Sequence, residues 1–353
     1  MSYPYDFLVF IGRFQPFHAG HLAVVQAGLR QAGHLIVLCG SAHQPRSTRN
    51  PFTWQEREAM LRACIAPEDQ SRLLVAPVLD SPYNDTGWLR SVQTTVQALV
   101  HAHQPAVAHT PRIGLIGHGK DQSQFYPQRF PQWGTVNVEN CAGVNATDIR
   151  NAFLGVGDSA VSGQAYVQGA GAELPSPVRQ WLTQFAATEQ YQELKAEQAF
   201  IGNYKQGWAS VPYEPYFVTV DAVVVQSGHV LLVERKARPG QGLLALPGGF
   251  VDPKERILDA CLRELKEETR IKVPLPVLRG SIKRSDVFDE PYRSARGRTI
   301  THAFYIELDS GSELPKVKGG DDARTAQWVP LGELDPAQLF DDHYFIIQAL
   351  TGG

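Results

Sequence analysis

Between residues 7 and 155, five short apolar or β-branched runs, at 7–11, 34–39, 73–79, 112–117 and 135–138, alternate with longer stretches of helical periodicity. Strands separated by helices pair in parallel, so this alternation calls for an open α/β sheet with helices on its faces. The pattern does not continue to the end of the chain. After Gly207 the texture changes to "PYFVTVDAVVVQSGHVLLVERK", two β-rich runs joined at Gln226-Ser227-Gly228, which is the signature of a hairpin. One helix at about 254–269 is expected inside this β-rich part, with strands at 299–308 and 325–330 and a closing helix near 333–349. A chain of 353 residues exceeds what one hydrophobic core usually organises. The expected division is a first domain at 1–183, a helical linker at 184–206 and a second domain at 207–353.

Local signals place helix starts. Thr53-Trp54-Gln55-Glu56 reads as a capping box, in which Thr and Glu satisfy each other's exposed amides. Ser176-Pro177 reads as an N-cap with proline at the first helical position, opening one helix through "VRQWLTQFAATEQYQELKAEQ". A formal charge of −3 is no footprint of a protein that coats nucleic acid. Cys39, Cys64, Cys141 and Cys261 are widely spaced, which argues against a zinc site or a disulfide framework. There is no apolar run of about 18 residues, and "MSYPYDF" lacks the regions of a secretory signal. A cytoplasmic protein is expected, without membrane or nucleic-acid partners, with a homo-oligomer left open.

Chemistry concentrates first in "IGRFQPFHAGH", where an apolar run ends at Ile11 and a helix begins near Gly20. Such a loop lies at the carboxyl edge of a parallel sheet, where ligands of these folds bind. A helix N-terminus offers unpaired amides and a positive dipole end, Gly12 and Gly20 allow close approach, and His18 and His21 can point to one anion. Read alone, the two histidines could equally cap a surface helix; the strand–loop–helix context favours a nucleotide-phosphate site. Nearby phosphate would favour protonated rings with two donors each.

"GRFQPFHAGH" resembles the H-x-G-H signature of the nucleotidyltransferase superfamily, and most of all the nicotinamide mononucleotide (NMN) adenylyltransferases. "NPFTWQERE" at 50–58, "YNDTGW" at 83–88, "GHGKDQSQFYPQRFPQW" at 117–133 and "VNATDIRNAF" at 144–153 are similar to that family's later segments, in order. The last resembles its I-S-x-T-x-I-R motif, with Asn145 and Ala146 in place of serines and Thr147 and Arg150 in register. The resemblance implies adenylyl transfer from ATP to NMN without a covalent enzyme intermediate, with His18, His21 and Arg150 acting on charge. It also implies Gly12, Arg13, Lys120, Asp121 and Thr147 as substrate-binding residues. Trp88 would stack on the nicotinamide ring or belong to the core, and Asn84 and Asp85 would bind substrate or merely form a turn.

The second concentration is "GFVDPKERILDACLRELKEETRI", residues 249–271. At about 100° per residue, Leu258, Cys261, Leu262 and Leu265 form one face of a helix, and Glu264, Glu267 and Glu268 gather beside it. Their repulsion could be relieved by solvent with Arg263 and Lys266, or by a hard divalent cation. The spacing resembles the Nudix box, G-x5-E-x7-R-E-U-x-E-E-x-G-U, except that Arg270 replaces its second glycine. By that resemblance Glu264, Glu267 and Glu268 are catalytic metal ligands, for Mg²⁺ with Mn²⁺ as an alternative, while Glu255 and Arg263 brace the loop. Residues 284–304 resemble a segment of Nudix enzymes acting on ADP-ribose, in which Arg293, Arg296 and Arg298 would meet phosphates or else form a solvated loop. Asp321 and Asp322 are further candidates for a ligand or base.

Together these features imply an α/β chain: a Rossmann-like parallel-sheet nucleotidyltransferase domain followed by an α+β Nudix domain. The arrangement resembles the bifunctional NMN adenylyltransferase/ADP-ribose pyrophosphatases, with ATP, NMN and ADP-ribose as partners. Two alternatives remain at this level: transfer to another nucleotide or phosphate acceptor, and a second domain that only senses ADP-ribose.

Overall fold

The structure is a computed structural model that describes residues 3–104, 110–118, 128–139, 143–155, 162–311, 313–320 and 322–352. Lys120, Asp121, Cys141 and Asp321 lie outside the described residues. The chain divides into two compact units: Met1–Ser81 with Asp85–Ala196, and Pro82–Asn84 with Glu197–Gly353. Among the described residues no helix is long and apolar enough to cross a membrane.

The first unit is built on five parallel strands, β1 (Tyr5–Gly12), β2 (Ala32–Cys39), β3 (Leu73–Pro77), β4 (Ile113–His118) and β5 (Gly134–Val138), in the order β3-β2-β1-β4-β5. All five expected strands are present. Alternation along β1 decides the packing: Leu8 and Phe10 enter one core layer, while Phe7, Val9 and Ile11 enter the other. Helix α1 (Ala19–Gln31) covers the first face with Val24 and Val25. Helix α2 (Trp54–Arg62) opens on the expected capping box, Thr53 Oγ1 accepting from the Glu56 amide at 3.3 Å and Glu56 accepting from the Thr53 amide at 2.8 Å. Helix α3 (Asp85–His103) covers the second face through Val92, Val96 and Val100, one every helical turn. Each such valine contributes roughly 1.5–3 kcal/mol by leaving water. Because β2 and β4 flank β1 on opposite sides, the chain reverses direction of sheet growth there. That reversal opens a crevice at the carboxyl ends of β1 and β4.

Helix α4 (Ala146–Leu154) and α5 (Gly163–Gly169) precede a helical pair that departs from expectation. The single helix expected from Ser176 is two helices, α6 (Ser176–Phe185) and α7 (Glu189–Gln206), and the N-cap is Pro175 rather than Ser176. The Thr188 hydroxyl donates to the Phe185 carbonyl at 2.7 Å and accepts from the Tyr191 amide at 3.3 Å, ending one helix and starting the next.

The second unit is a mixed sheet. Strands β6 (Phe217–Gln226) and β7 (His229–Arg235) form the expected hairpin, and both turn residues, Ser227 and Gly228, have positive φ, as the tight hairpin turn requires. Short strands β8 (Leu244–Ala245) and β9 (Gly248–Phe250) pair with β7 and β6. Helix α8 (Ile257–Thr269) buries Cys261, Leu262 and Leu265 against the sheet. After α9 (Leu275–Gly280) comes a strand that sequence reading missed, β10 (Ile282–Phe288), paired antiparallel to β11 (Thr299–Glu307). Its interior residues are exposed and include Lys283, Arg284 and Asp286, a charged edge that masks the strand pattern. Strand β12 (Ala323–Pro330) pairs with β7, and the closing helix α10 (His343–Thr351) starts about ten residues later than expected, after two short 3₁₀ turns, one following Pro330 and one opened by Pro336.

Arg270, the departure from the Nudix box, still makes the left-handed exit: its φ and ψ are 48° and 28°, and its amide donates to the Lys266 carbonyl. An L-residue there carries a cost on the order of 1 kcal/mol that glycine avoids. Arg270→Gly is expected to raise the denaturant midpoint of the second unit slightly or leave it unchanged, measured by chemical denaturation of the full chain; a clear loss would contradict the strain argument.

Candidate active sites

In the first unit the loop between β1 and α1 is pinned from three directions. Gln15, 1 % exposed, exchanges two side-chain hydrogen bonds with the Phe52 backbone, at 2.8 and 3.0 Å, and its carbonyl accepts from Arg150 Nη1 at 2.8 Å. The Arg57 guanidinium donates to the carbonyls of Arg13 and Gly40, each at 2.6 Å, while the Gly40 amide donates to the Gly12 carbonyl at 2.9 Å. A loop held this way needs little reorganisation to meet a ligand.

His18 is the N-cap of α1. Its Nδ1 accepts from the Gly20 amide at 3.1 Å, and His21 Nδ1 accepts from the His18 amide at 3.3 Å, so both rings cap the helix through Nδ1 and neither cap uses Nε2. The rings stack at 3.6 Å between centroids. Accepting at Nδ1 places the ring hydrogen on Nε2 in each. Burial lowers the His18 pKa to about 4, with His118 adding to the effect. The His21 pKa falls well below the ordinary value through burial and then through His18 and His118. In the protein alone a second ring proton is disfavoured, because each charge would lose water and meet other imidazoles; the protonated rings expected from the sequence are those beside a bound phosphate. Each ring offers one donor, Nε2–H.

Arg150 is buried on α4, its Nη2 donating to Thr147 Oγ1 at 3.1 Å. Its pKa drops to about 10 through burial and the neighbouring charges of Arg13 and Arg49. Three guanidiniums close enough to repel one another suit a polyanion. Arg49, in the segment before "NPFTWQERE", was missed because it matched no motif. His118, at the end of β4, lies inside the segment "GHGKDQSQFYPQRFPQW" but was passed over there for Lys120 and Asp121. Trp88 packs beside the core, tilted 55° to Phe130 at 6.1 Å. Asp85, in the first turn of α3, pairs with Arg129 at 2.7 Å, and Asn84 falls with the second unit.

In the second unit, Arg263 is a hub. It donates to Glu255 at 2.6 and 3.1 Å, to Glu264 at 2.8 Å, to Glu267 at 3.0 Å and to the Phe250 carbonyl at 3.3 Å, which makes it the brace expected of it. Two α8 carboxylates reach the backbone of β9: Glu264 fits against residue 249 because it is glycine, Glu268 bonds the Gly248 amide, and Gly248 itself packs against β6. A Cβ on Gly249 would stand 2.5 Å from Glu264 Oε1, and one on Gly248 would stand 2.1 Å from the Val220 carbonyl oxygen. Glu268 Oε2 accepts from the Gly248 amide at 3.0 Å. Burial, only partly opposed by that amide, lifts the Glu268 carboxyl to about 8, and burial also raises that of Glu264.

The Nudix resemblance calls for a divalent cation. Glu264 and Glu268 fit one: both carboxylates meet the same strand, are hard oxygen donors, and bear the cost of burial that a cation would offset. Glu267 is more exposed and turned to Arg263. Among the described residues no three such side chains converge as a finished metal cage.

Beside Glu268 lies a cavity walled by Arg235, Phe250, Arg293, Arg296 and Asp341. Arg293 is buried and its fork is gripped by Asp342 at 2.8 and 2.9 Å. Arg296 stands 5.1 Å over the Phe250 ring. Arg298 instead donates to the Asp289 carbonyl and is not part of the wall. Asp322 joins the lining. Arg235 and Asp341 were missed by sequence reading; Asp341, at φ 47°, has its carboxyl pushed up to about 7 by burial and by Asp342.

The lowered histidine values have a consequence for stability. Unfolded His18 titrates near 6.5 and folded His18 near 4, so between those values the unfolded chain binds the extra proton and stability falls as pH falls. The slope is at most about 1.4 kcal/mol per pH unit for this group. His18→Asn, which keeps a capping oxygen, is expected to flatten the acid side of the first unit's stability profile in denaturation at pH 4–7; parallel profiles would contradict the assignment.

Two family models match the chain, "Cytidylyltransferase-like" over residues 9–152 and "NUDIX domain" over 215–350. The chain is 40 % identical over 152 residues to a nicotinamide/nicotinic acid mononucleotide adenylyltransferase of Acinetobacter baylyi, covering 43 % of this chain and 77 % of that one. It is 36 % identical over 129 residues to an ADP-ribose pyrophosphatase of Methanocaldococcus jannaschii, covering 36 % and 70 %. A bifunctional NMN adenylyltransferase/ADP ribose pyrophosphatase of Francisella tularensis, solved with AMP and a manganese ion, superposes with a TM-score of 0.88 at 34 % identity over 99 % of both chains. With both units matched in one chain, in this order and over nearly its whole length, the protein belongs to the family of bifunctional NMN adenylyltransferase/ADP-ribose pyrophosphatases.

Proposed function

We propose that the first unit joins NMN to the adenylyl group of ATP and that the second hydrolyses ADP-ribose to AMP and ribose 5-phosphate. Residues 1–183 and 207–353 would carry the two activities, with 184–206 joining them. In the first reaction an oxygen of the NMN 5′-phosphate bonds to the α-phosphorus of ATP and the bond to the leaving pyrophosphate breaks. The observation that carries this reading is the pinned loop at the head of α1. There the Nε2–H groups of His18 and His21 sit at a positive helix end, in a unit that also groups Arg13, Arg49 and Arg150. These groups hold the triphosphate and stabilise charge on the departing pyrophosphate. Gly12 begins the pinned loop, Thr147 in the first turn of α4 holds Arg150, Trp88 receives the nicotinamide ring, and Asp85, Lys120 and Asp121 complete the binding set, from which Asn84, grouped with the second unit, is left out.

In the second unit, Glu264 and Glu268 hold Mg²⁺, which Mn²⁺ can replace, with Glu267 assisting. The bound cation supplies charge neutralisation of the diphosphate and acidifies water. Arg296 and Arg293 wall the cavity in which the diphosphate is placed, and the Phe250 face closes it. Arg298 acts outside it.

Product chromatography tests both halves in one chain. His21→Ala is expected to lower NAD formation roughly 10²–10³-fold, as loss of a preorganised donor does, and to leave ADP-ribose hydrolysis intact. Glu268→Gln, similar in shape but uncharged, is expected to abolish most hydrolysis and shift the Mg²⁺ requirement upward while NAD formation continues. Near-parental NAD formation by the first variant, or hydrolysis unchanged across a Mg²⁺ titration in the second, would overturn the corresponding assignment.

A further inference from the structure

His118 is the last residue of β4, across the crevice from the loop that carries His18 and His21. Its Nδ1 lies 3.2 Å from the Val138 carbonyl oxygen on the neighbouring strand β5. A carbonyl only accepts, so Nδ1 carries the hydrogen, and the uncharged ring presents a lone pair at Nε2. That Nε2 is buried and has no hydrogen-bond partner among the described residues. It lies 3.6 Å from the point where a Cβ would stand on Gly20, so it faces the first turn of α1. His18 and His21 have the opposite arrangement, with Nδ1 accepting from backbone and Nε2 donating. The crevice therefore holds two imidazole donors and one imidazole acceptor around a single helix start.

An acceptor that burial has separated from water needs a hydrogen from the ligand, or its desolvation goes uncompensated. Phosphate oxygens at neutral pH bring none. The hydrogen-bearing groups of a nucleotide are its ribose hydroxyls and the amines at the far edge of its base. Of these the hydroxyls are only a few bonds from the phosphate, and the phosphate is the part that the α1 head and its two Nε2–H groups hold. We propose that His118 Nε2 accepts a hydrogen bond from a ribose hydroxyl of the nucleotide bound in the first unit. The proposal rests on the reading of that unit as an adenylyltransferase and adds the group that recognises the sugar.

The test is a set of kcat/KM values for NAD formation by parent and His118→Ala chains, with ATP, 2′-deoxyATP, 3′-deoxyATP, NMN and its 2′- and 3′-deoxy forms. In the parent, removal of the recognised hydroxyl is expected to cost about tenfold, the worth of one hydrogen bond to a buried acceptor. In His118→Ala that single penalty should vanish while the others persist. His118→Gln, which restores an acceptor, should recover part of it. Thermal denaturation of each full chain, compared with the parent, reports whether the first unit is folded, and His118→Phe, which keeps a ring without the lone pair, replaces Ala if that variant does not fold. Identical hydroxyl penalties in parent and variant would overturn the proposal. So would an equal loss with every substrate, which would mark a phosphate contact by a protonated ring. A parent chain that formed no NAD at all would instead overturn the reading of the unit, and the proposal with it.

Discussion

The first unit depends on one buried guanidinium. Arg57, 1 % exposed, donates to the carbonyls of Arg13, Gly40, Ser41 and Thr53, so it clamps the segments that follow β1 and β2 to the opening turn of α2. A charge this deep is tolerable only because its donors are matched, and each of those carbonyls, left unpaired, would cost about 1–3 kcal/mol. Everything the site does follows from the loop being held: Gln15 can lock onto Phe52, Arg150 can reach the Gln15 carbonyl, and the two histidines can cap α1 without the loop wandering.

Burial then sets the chemistry in both units, with opposite effect on acids and bases. In the first it lowers the pKa values of His18 and His21, which in the protein alone favours rings that each present one directed donor. In the second it raises the Glu268 and Glu264 carboxyls, while Glu255 is held low by its hydrogen bonds from Arg263. Glu264 and Glu268 on α8 thus face β9, whereas Glu255, which precedes α8, ties Arg263 to the loop before the helix.

Features with local causes were legible in the sequence. The five parallel strands, the Thr53–Glu56 capping box and the hairpin at Ser227–Gly228 each depend on residues within a few positions of one another. The break between α6 and α7 was local too, but it depended on one Thr188 hydroxyl, which periodicity does not weigh. Strand β10 was lost because an exposed, charged edge lacks the alternation by which strands are recognised.

The sequence by itself determined which residues could do chemistry: the H-x-G-H histidines, Arg150, and the Nudix carboxylates at their helical spacing. Only the tertiary structure decided what each is able to do. Arg57 meets carbonyls 16 to 44 residues away, and Arg293, expected at a phosphate, is gripped by Asp342 from 49 residues further on. Likewise Glu264 and Glu268 meet at β9, the first admitted by Gly249 and the second held by the Gly248 amide, whereas Glu267, adjacent in the chain, turns outward to Arg263. Protonation state, tautomer and partner are set by burial and by the nearest polar atoms, and those are brought together by folding rather than by spacing along the chain.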